Sequence, residues 1–177
     1  MADLRARALD EDDWQVYRDL RLAALQESPG AFVDSYGTES TYDETFWRER
    51  MRRGRRFVAE LDGKKVGLVG LGLHNDDPEI GEVFGLWSAP EARGSHVAWY
   101  LVGAAAKQAY EDGRKRLYFW VGSENVPAIG FASNFGFRPT SERRPKRVSS
   151  NESDEDEVAM VMPLAADPSS VKNPFIS

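Results

Sequence analysis

Two features of the chain have residue types suited to chemistry: an acid at the start of an apolar run and a turn of small residues that follows it. Glu82 precedes Val83 to Trp87, a run with the composition of a buried strand. Residues 93–98 read Arg-Gly-Ser-His-Val-Ala and lead into a helical pattern. A carboxylate in a partly dry cleft can accept a proton from an amine, and the first turn of a helix offers free N–H groups to a phosphate. This order predicts an anion site with a candidate general base beside it.

Four elements must position these residues. A strand is predicted over Ile80 to Ser88, and a helix over His96 to Asp112 with Gly113 as its C-terminal cap. A further strand follows at Leu117 to Val121, and a further helix at Asn125 to Phe135. We expect both helices to act as crossovers that return the chain to one sheet.

The other elements complete one predicted domain, residues 1–164, with residues 165–177 as a loosely held tail. They are a strand at Leu4 to Ala8, a helix that Asp10 caps and Pro29-Gly30 ends, a loop from Ala31 to Thr41, a helix from Asp43 to Arg53, a hairpin turning at Asp62-Gly63, a polar loop or hairpin tip from Ser141 to Glu157, and a strand from Val158 to Met162. Glycines 67, 70 and 72 indicate twist or close backbone approach in the third strand. The order β-α-α-β-β-β-α-β-α-β-β predicts an α/β (α+β) fold with a mixed sheet and helices on both faces.

Composition excludes several kinds of site. The 177 residues include no cysteine, which excludes disulfides, thiolate metal sites and a cysteine nucleophile, and we expect no metal. The formal charge of −6 argues against nucleic acid as a partner and fits a cationic amine slightly better than an anion. No run reaches the roughly 20 apolar residues that span a bilayer, and the first residues lack an apolar signal core. We therefore expect a cytoplasmic protein without a membrane partner.

The turn after the apolar strand resembles the coenzyme A pyrophosphate motif of the GCN5-related N-acetyltransferase (GNAT) superfamily, Arg/Gln-x-x-Gly-x-Gly/Ala. Arg93 takes the first position, His96 the first glycine position and Ala98 the last. The stretch from Asn125 to Ala128, with Phe135-Gly136-Phe137 after it, is similar to the second signature, Asn-x-x-Ala…Gly-Phe. On its own, Gly94 would fit a simple turn better than an anion site. Both signatures together, in this element order, cover nearly the whole chain.

The resemblance implies a GNAT-like, mostly antiparallel sheet of six to seven strands whose central strand pair splays, and acetyl-CoA as co-substrate without a metal. It implies that the pantetheine arm enters the gap between the splayed strands and hydrogen-bonds like a partial extra strand. It implies that the diphosphate is held by backbone N–H groups of the turn, and that Asn125 binds the arm or caps its helix, roles that can coexist. The cofactor-binding residues so implied are Leu86, Trp87, Ser88, Arg93, Gly94, Ser95, His96, Val97, Ala98, Trp99 and Asn125.

Two positions depart from the family pattern. His96 stands where the family has a glycine, so its side chain could crowd the phosphate, point away, or hold the diphosphate when it is protonated. The last possibility leads to the hypothesis that coenzyme binding is pH-sensitive. Ala132 stands where many members have a tyrosine that serves as the general acid. Its place could be taken by another group or by water, or catalysis could have been lost.

A carboxylate and two aromatic residues are the candidates for the acceptor side. Some family members have a general base on this strand eleven residues before the Arg/Gln position, and Glu82 has that spacing to Arg93. Otherwise Glu82 only keeps the strand end soluble. Phe32 and Tyr36, in the predicted loop, are the substrate-binding candidates, because an aromatic ring can flank an amine.

Three further acids, Glu60, Glu79 and Glu124, are weaker candidates for the base because only their places near strand ends support them. The basic run at 143–147 precedes an acidic one, which is typical of a solvated hairpin rather than a nucleic-acid site.

The sequence thus predicts an N-acetyltransferase that moves an acetyl group from acetyl-CoA to a small-molecule, peptide or protein amine by direct attack. The alternative is a non-catalytic acyl-CoA-binding or sensing module. A homodimer is compatible with this fold, and the sequence does not decide it.

Overall fold

A computed structural model of the chain describes residues 3–32, 34–145 and 155–164. Its strands are β1 (Leu4–Leu9), β2 (Arg55–Leu61), β3 (Lys64–Leu73), β4 (Ile80–Ser88), β5 (Arg116–Gly122), β6 (Arg138–Pro145) and β7 (Asp156–Pro163). Its α-helices are α1 (Trp14–Glu27), α2 (Tyr36–Glu39), α3 (Glu44–Arg53), α4 (Val97–Glu111) and α5 (Val126–Phe135). The predicted tail, 165–177, and the centre of the predicted polar loop, 146–154, lie outside the described residues.

The seven strands form one mixed sheet in the order β1-β2-β3-β4-β5-β7-β6. Strands β4 and β5 run parallel, with α4 as their crossover, and the other described neighbours run antiparallel. Helices α1 and α3 pack together on one face of the sheet, and α4 and α5 lie on the other. The predicted fold class is therefore confirmed.

Local sequence signals account for most element ends. Asp10 forms a capping box with Asp13 before α1. The β2–β3 turn places Asp62 and Gly63 at φ 52° and 83°, as a two-residue hairpin of the primed type requires. Gly113 ends α4 with φ 86°, which a residue without Cβ adopts at little cost.

Two predicted loops were too long. Residues 36–39 form α2, because the Ser35 side chain accepts a hydrogen bond from the Thr38 N–H and caps a helical turn. Residues 141–145 extend β6 instead of starting a loop, and they pair with the first residues of β7. The polar composition of both stretches had indicated loops, but exposed edge strands and short surface helices are polar too.

The predicted close approach at the β3 glycines is confirmed on both faces of the sheet. A Cβ at Gly67 would lie 2.6 Å from Val97 Cγ1 of α4, so the glycine lets that helix pack directly on the strand. A Cβ at Gly70 would collide with the ring of Phe84, which lies across β3 on the opposite face. The guanidinium of Arg56 fills the space between the rings of Phe84 and Tyr17.

Candidate active site

A cleft opens where the two parallel strands separate. Strands β4 and β5 pair from Ile80–Arg116 to Val83–Phe119 and not beyond. A bulge then bends β4, because Gly85 has a φ of 63° and the register with β3 shifts between Leu68 and Gly70. The resulting cleft has a volume of about 500 Å³ and is lined on both sides by the diverging strands. This is the predicted splay of the central strand pair.

A second cavity, of about 320 Å³, adjoins the turn before α4. Gly94 and His96 both have left-handed backbone conformations, with φ of 90° and 65°, and α4 begins at Val97. The left-handed angle at His96 explains why the family pattern has glycine there. The first N–H groups of a helix have no partner within the helix, so this cavity has the backbone expected of an anion site.

The predicted cofactor residues divide between the two cavities. Leu86 and Asn125 line the cleft, and the second cavity is lined by Ser88, Arg93, Gly94, His96, Val97, Ala98 and Trp99. Trp87 and Ser95 line neither of them. Asn125 also caps α5, since its side chain accepts a hydrogen bond from the Ala128 N–H at 3.2 Å. The cap and a place in the cleft therefore coexist.

The side chains of Arg93 and Trp87 reach back to the first helix. Arg93 Nη2 and Trp87 Nε1 donate to Glu27 Oε2 at 2.9 and 3.1 Å. Hydrogen bonds from Ser28, Trp87 and Arg93 lower the pKa of the Glu27 carboxyl, although its partial desolvation acts in the other direction. This ion pair joins the end of α1 to the turn before α4.

Glu82 lies beside the cleft in a polar cluster. Its Oε1 accepts from Trp120 Nε1 at 2.7 Å and lies 2.8 Å from His74 Nδ1. The indole of Trp120 also lines the cleft. The Glu82 side chain is 21% exposed. It does not line the cleft itself, but it contacts the cleft wall through its hydrogen bond with Trp120.

The weaker base candidates lie in different surroundings. Glu60 pairs with Arg7 at 3.0 Å and Glu79 with Lys115 at 3.2 Å, both near the surface. The N–H of Glu124 is bonded to Glu155, and none of the three acids lines the cleft. Of these four carboxylates, only that of Glu82 has a described hydrogen bond with a side chain of the cleft wall, the indole of Trp120.

The two aromatic candidates for the acceptor side are in different positions. Phe32 lines the cleft, is buried, and has the Arg21 guanidinium 4.5 Å above its ring. Tyr36 is 40% exposed and does not line the cleft. The structure therefore brings Phe32 to the site and leaves Tyr36 on the surface of α2.

Ala132 lies in α5 with no exposed surface, and its methyl group can neither donate nor accept a proton. The cleft lining also lacks tyrosine, serine and threonine among the described residues. Its polar side chains are those of Arg21, Trp120, Asn125, Arg144 and Glu157. Arg144 pairs with Glu157 at 2.9 Å and covers the ring of Trp120.

Two further members of the Glu82 cluster, His74 and Glu142, were not predicted as site residues. His74 is one residue beyond β3, and its Nε2 lies 3.2 Å from Glu142 Oε1. Glu142 falls in the stretch that was expected to be a loop. The alternation of side chains along a strand could have indicated one neighbour of Glu82, Trp120. Glu82 pairs with Tyr118 in the sheet, and Trp120, two residues after Tyr118, lies on the same face of β5.

The acetyltransferase (GNAT) family model matches residues 14–137. The chain belongs to the GNAT family. An uncharacterized N-acetyltransferase of Methanocaldococcus jannaschii is 27% identical over 137 residues, which are 74% of this chain and 59% of that protein. The chain spans less than two thirds of the length of the curated relatives that it matches.

Solved structures of other GNAT-like proteins share the fold. A GNAT acetyltransferase of Streptococcus pneumoniae superposes with a TM-score of 0.72 at 18% identity, over 92% of this chain and all of the other. The yncA protein of Salmonella typhimurium, solved with its cofactor acetyl-CoA, has a TM-score of 0.70 at 17% identity, over 93% of this chain and 95% of the other. In the described part of this GNAT chain, no helix is both long and apolar enough to cross a bilayer.

Proposed function

We propose that this GNAT chain is an acetyl-CoA-dependent N-acetyltransferase that transfers the acetyl group directly to an amine. One observation carries the proposal: the cleft between β4 and β5 opens at the same end of β4 as the turn that begins α4. An extended arm with a diphosphate at one end and a thioester at the other fits that arrangement. The acetyl-CoA seen in the Salmonella typhimurium structure agrees with it.

The two ends of the donor are held by different kinds of group. Backbone N–H groups between Arg93 and Trp99 hold the diphosphate at the start of α4, other than those of Arg93 and Ser95, which donate to Pro90 and Ala92. Beyond the bulge, the edge of β4 that faces the cleft is not paired with β5. Backbone groups alternate between the two edges of a strand, and the Ala89 N–H donates to Val66 of β3. The backbone groups of Trp87 therefore also face β3, and those of Leu86 and Ser88 are available to the pantetheine arm and to the thioester carbonyl. A backbone N–H directed at that carbonyl would stabilise the oxyanion as the amine attacks.

Glu82 is the proposed general base. An alkyl ammonium group, with a pKa of about 10, must lose its proton before it can attack. Within the described residues, both donors to Glu82 bond Oε1. Its Oε2 is left to take the amine proton, directly or through one water. The amine nitrogen then attacks the thioester carbon, the carbon–sulfur bond breaks, and the acetyl group stays on nitrogen.

In this mechanism a water passes to the departing thiolate the proton that the nitrogen loses as the tetrahedral intermediate collapses. Ala132 cannot supply one, and no described side chain of the cleft lining carries a hydroxyl group. The absence of cysteine from the sequence fits direct transfer without a covalent enzyme intermediate. Phe32, in the cleft wall, would contact the acceptor, whereas Tyr36 would meet only an acceptor large enough to reach the surface of α2.

An amine-panel assay tests the proposal. The purified chain is incubated with acetyl-CoA and a set of polyamines, amino acids, aminoglycosides and peptides, and acetylated products are detected by mass. We expect steady thiol release with at least one class of amine, together with a product 42 Da heavier, the mass of an added acetyl group. Tight acetyl-CoA binding without turnover across the panel would contradict the proposal.

A second candidate, a non-catalytic acyl-CoA-binding or sensing module, is favoured by the buried Ala132 at the usual tyrosine position. Substitution at Glu82 separates the two functions. In an enzyme, Glu82→Gln lowers turnover and leaves acetyl-CoA binding unchanged. In a sensor there is no turnover to lose. A chain that did not bind acetyl-CoA by calorimetry would fit neither function.

A further inference from the structure

The imidazole of His74 lies between two carboxylates at the edge of the cleft. Its Nδ1 is 2.8 Å from Glu82 Oε1 and its Nε2 is 3.2 Å from Glu142 Oε1. The ring is 4% exposed and stacks on Tyr118 with a centroid separation of 4.0 Å. A buried ring fixed on one face and at both nitrogens has little freedom to rotate. Whatever it bonds is therefore held in a defined position.

The hydrogen bonds identify which nitrogen carries hydrogen. An ionised Glu82 can only accept, so His74 Nδ1 must be the donor. When the ring is neutral, Nε2 has a lone pair and can accept from Asn75 Nδ2, 3.3 Å away. When the ring is charged, Nε2–H can donate to Glu142. Both charge states of His74 therefore have partners for both nitrogens, and in both of them Nδ1–H is directed at Glu82.

The charged groups around the ring come from three strands. Glu82 faces it from β4 and Glu142 from β6, and Tyr118 covers its face from β5. Arg144 lies on the ring of Trp120, which is 6.0 Å from the imidazole, and is itself paired with Glu157. Asp76 and Asp77 follow His74 in the same turn. Within the described residues, no group of three or more histidine or acidic side chains is placed to hold a metal ion. The cluster is therefore explained by hydrogen bonding.

We propose that His74 is a positioning residue that fixes Glu82 as the general base. This inference rests on the proposed acetyl transfer. His74 and Trp120 together bond one oxygen of Glu82, which directs the other oxygen at the acceptor amine. A base held in this way has its proton-accepting atom at a constant distance from the reacting nitrogen, and small errors in such distances have large effects on rate.

Two amide substitutions at position 74 separate positioning from simple packing. His74→Asn places its NH₂ near the position of Nδ1 and keeps the bond to Glu82, whereas His74→Gln places its NH₂ near Nε2 and loses that bond. We expect His74→Gln to lower kcat about tenfold or more, with the KM for acetyl-CoA unchanged. We expect His74→Asn to stay within about threefold of wild type at pH 8. Equal losses in both variants would overturn the positioning role.

The two proposals fail in different ways. If Glu82→Gln has wild-type turnover, then the general base is wrong and with it the basis of the inference. If Glu82→Gln is inactive but both His74 variants match wild type in kcat, the base stands and the inference about His74 is wrong.

Discussion

Two glutamates near the cleft show how partners determine what a buried carboxylate can do. Glu39 of α2 has no exposed surface. Arg21 bonds both of its oxygens, at 3.1 and 2.9 Å, and Arg50 adds a third bond at 2.7 Å. Glu82 is partly exposed and is held through one oxygen by an imidazole and an indole. The first carboxylate has no oxygen left for a ligand, and the second has one.

The partners also differ in charge. Guanidinium groups stay charged at any pH that a protein experiences. Burial raises the pKa of Glu39, but the hydrogen bonds and charges of Arg21 and Arg50 outweigh it, and the net effect is a lowered pKa. The anion of Glu39 is thus stabilised by its partners, which suits a structural role. The partners of Glu82 are an imidazole and a neutral indole, and neither of them is a permanent cation.

The largest effect that follows from this comparison is on stability. Glu39→Gln leaves the mostly buried guanidinium groups of Arg21 and Arg50 without their counter-ion. Breaking a buried ion pair from one side costs about 3 to 5 kcal/mol. We expect the free energy of unfolding in urea to fall by that amount at pH 7.

The matched control is Glu60→Gln, which removes a carboxylate that also pairs with an arginine but is near the surface. We expect it to cost less than about 1 kcal/mol. If the two variants lose the same stability, then the permanent charge around Glu39 has no special structural value.

The loss caused by Glu39→Gln should also depend on pH. The pKa of Glu39 is lower in the folded chain than its ordinary value, which is about 4.3 for an unperturbed glutamate. A lowered folded pKa stabilises the fold above the unfolded value, and this stabilisation is lost as the pH falls through the folded value. The difference in unfolding free energy between wild type and Glu39→Gln should be constant from pH 7 to about pH 5 and shrink below that. A difference unchanged at about pH 3 would contradict the assignment.

In contrast to Glu39→Gln, Glu82→Gln should have a large effect on the rate of acetyl transfer and a small effect on stability. Glutamine cannot accept the amine proton, and we expect turnover on the correct amine to fall at least about tenfold. Acetyl-CoA binding, measured by calorimetry, should be unchanged because Glu82 does not line the cavity at the turn before α4. The control is Glu79→Gln, three residues earlier, which removes a surface pair with Lys115 and should keep normal turnover. Unchanged turnover in Glu82→Gln would remove it from the mechanism.

The sequence predicted the elements around the coenzyme side well because their signals are local. The apolar run of β4, the small residues before α4 and the cap residue Asn125 each depend on a few neighbouring positions. The bulge at Gly85 was not predicted, because nothing near Gly85 separates it from an ordinary strand glycine. Its backbone is determined by pairing with β3, which involves residues fifteen or more positions away.

The acceptor side was predicted less completely because its residues come from distant parts of the chain. Glu82 was found from its place in an apolar run, but the cluster around it draws on four elements. His74 enters from a short turn, Trp120 from a parallel strand, and Glu142 from an edge strand whose register with β7 shifts between Pro139 and Arg143. Such a shift changes which side chains face the cleft, and a single sequence gives no sign of it.

The two histidines of the chain also differ in burial and in their partners. His74 is buried between two carboxylates, and His96 is exposed at a left-handed position before α4. If a protonated His96 holds the diphosphate, acetyl-CoA should bind more tightly at pH 5.5 than at pH 8. For an exposed ion pair worth up to about 1 kcal/mol, the change in Kd is at most about fivefold.

His96→Gly removes the imidazole and restores the family's residue at a position whose φ of 65° suits glycine. We expect this variant to bind acetyl-CoA with an affinity that does not change between pH 5.5 and pH 8, and to be more stable by up to about 1 kcal/mol because the left-handed strain is relieved. Calorimetry at both pH values and urea unfolding measure the two effects separately. If wild type already binds with constant affinity over this range, His96 has no part in holding the diphosphate, and its strained backbone remains the feature in which the turn departs from the family pattern.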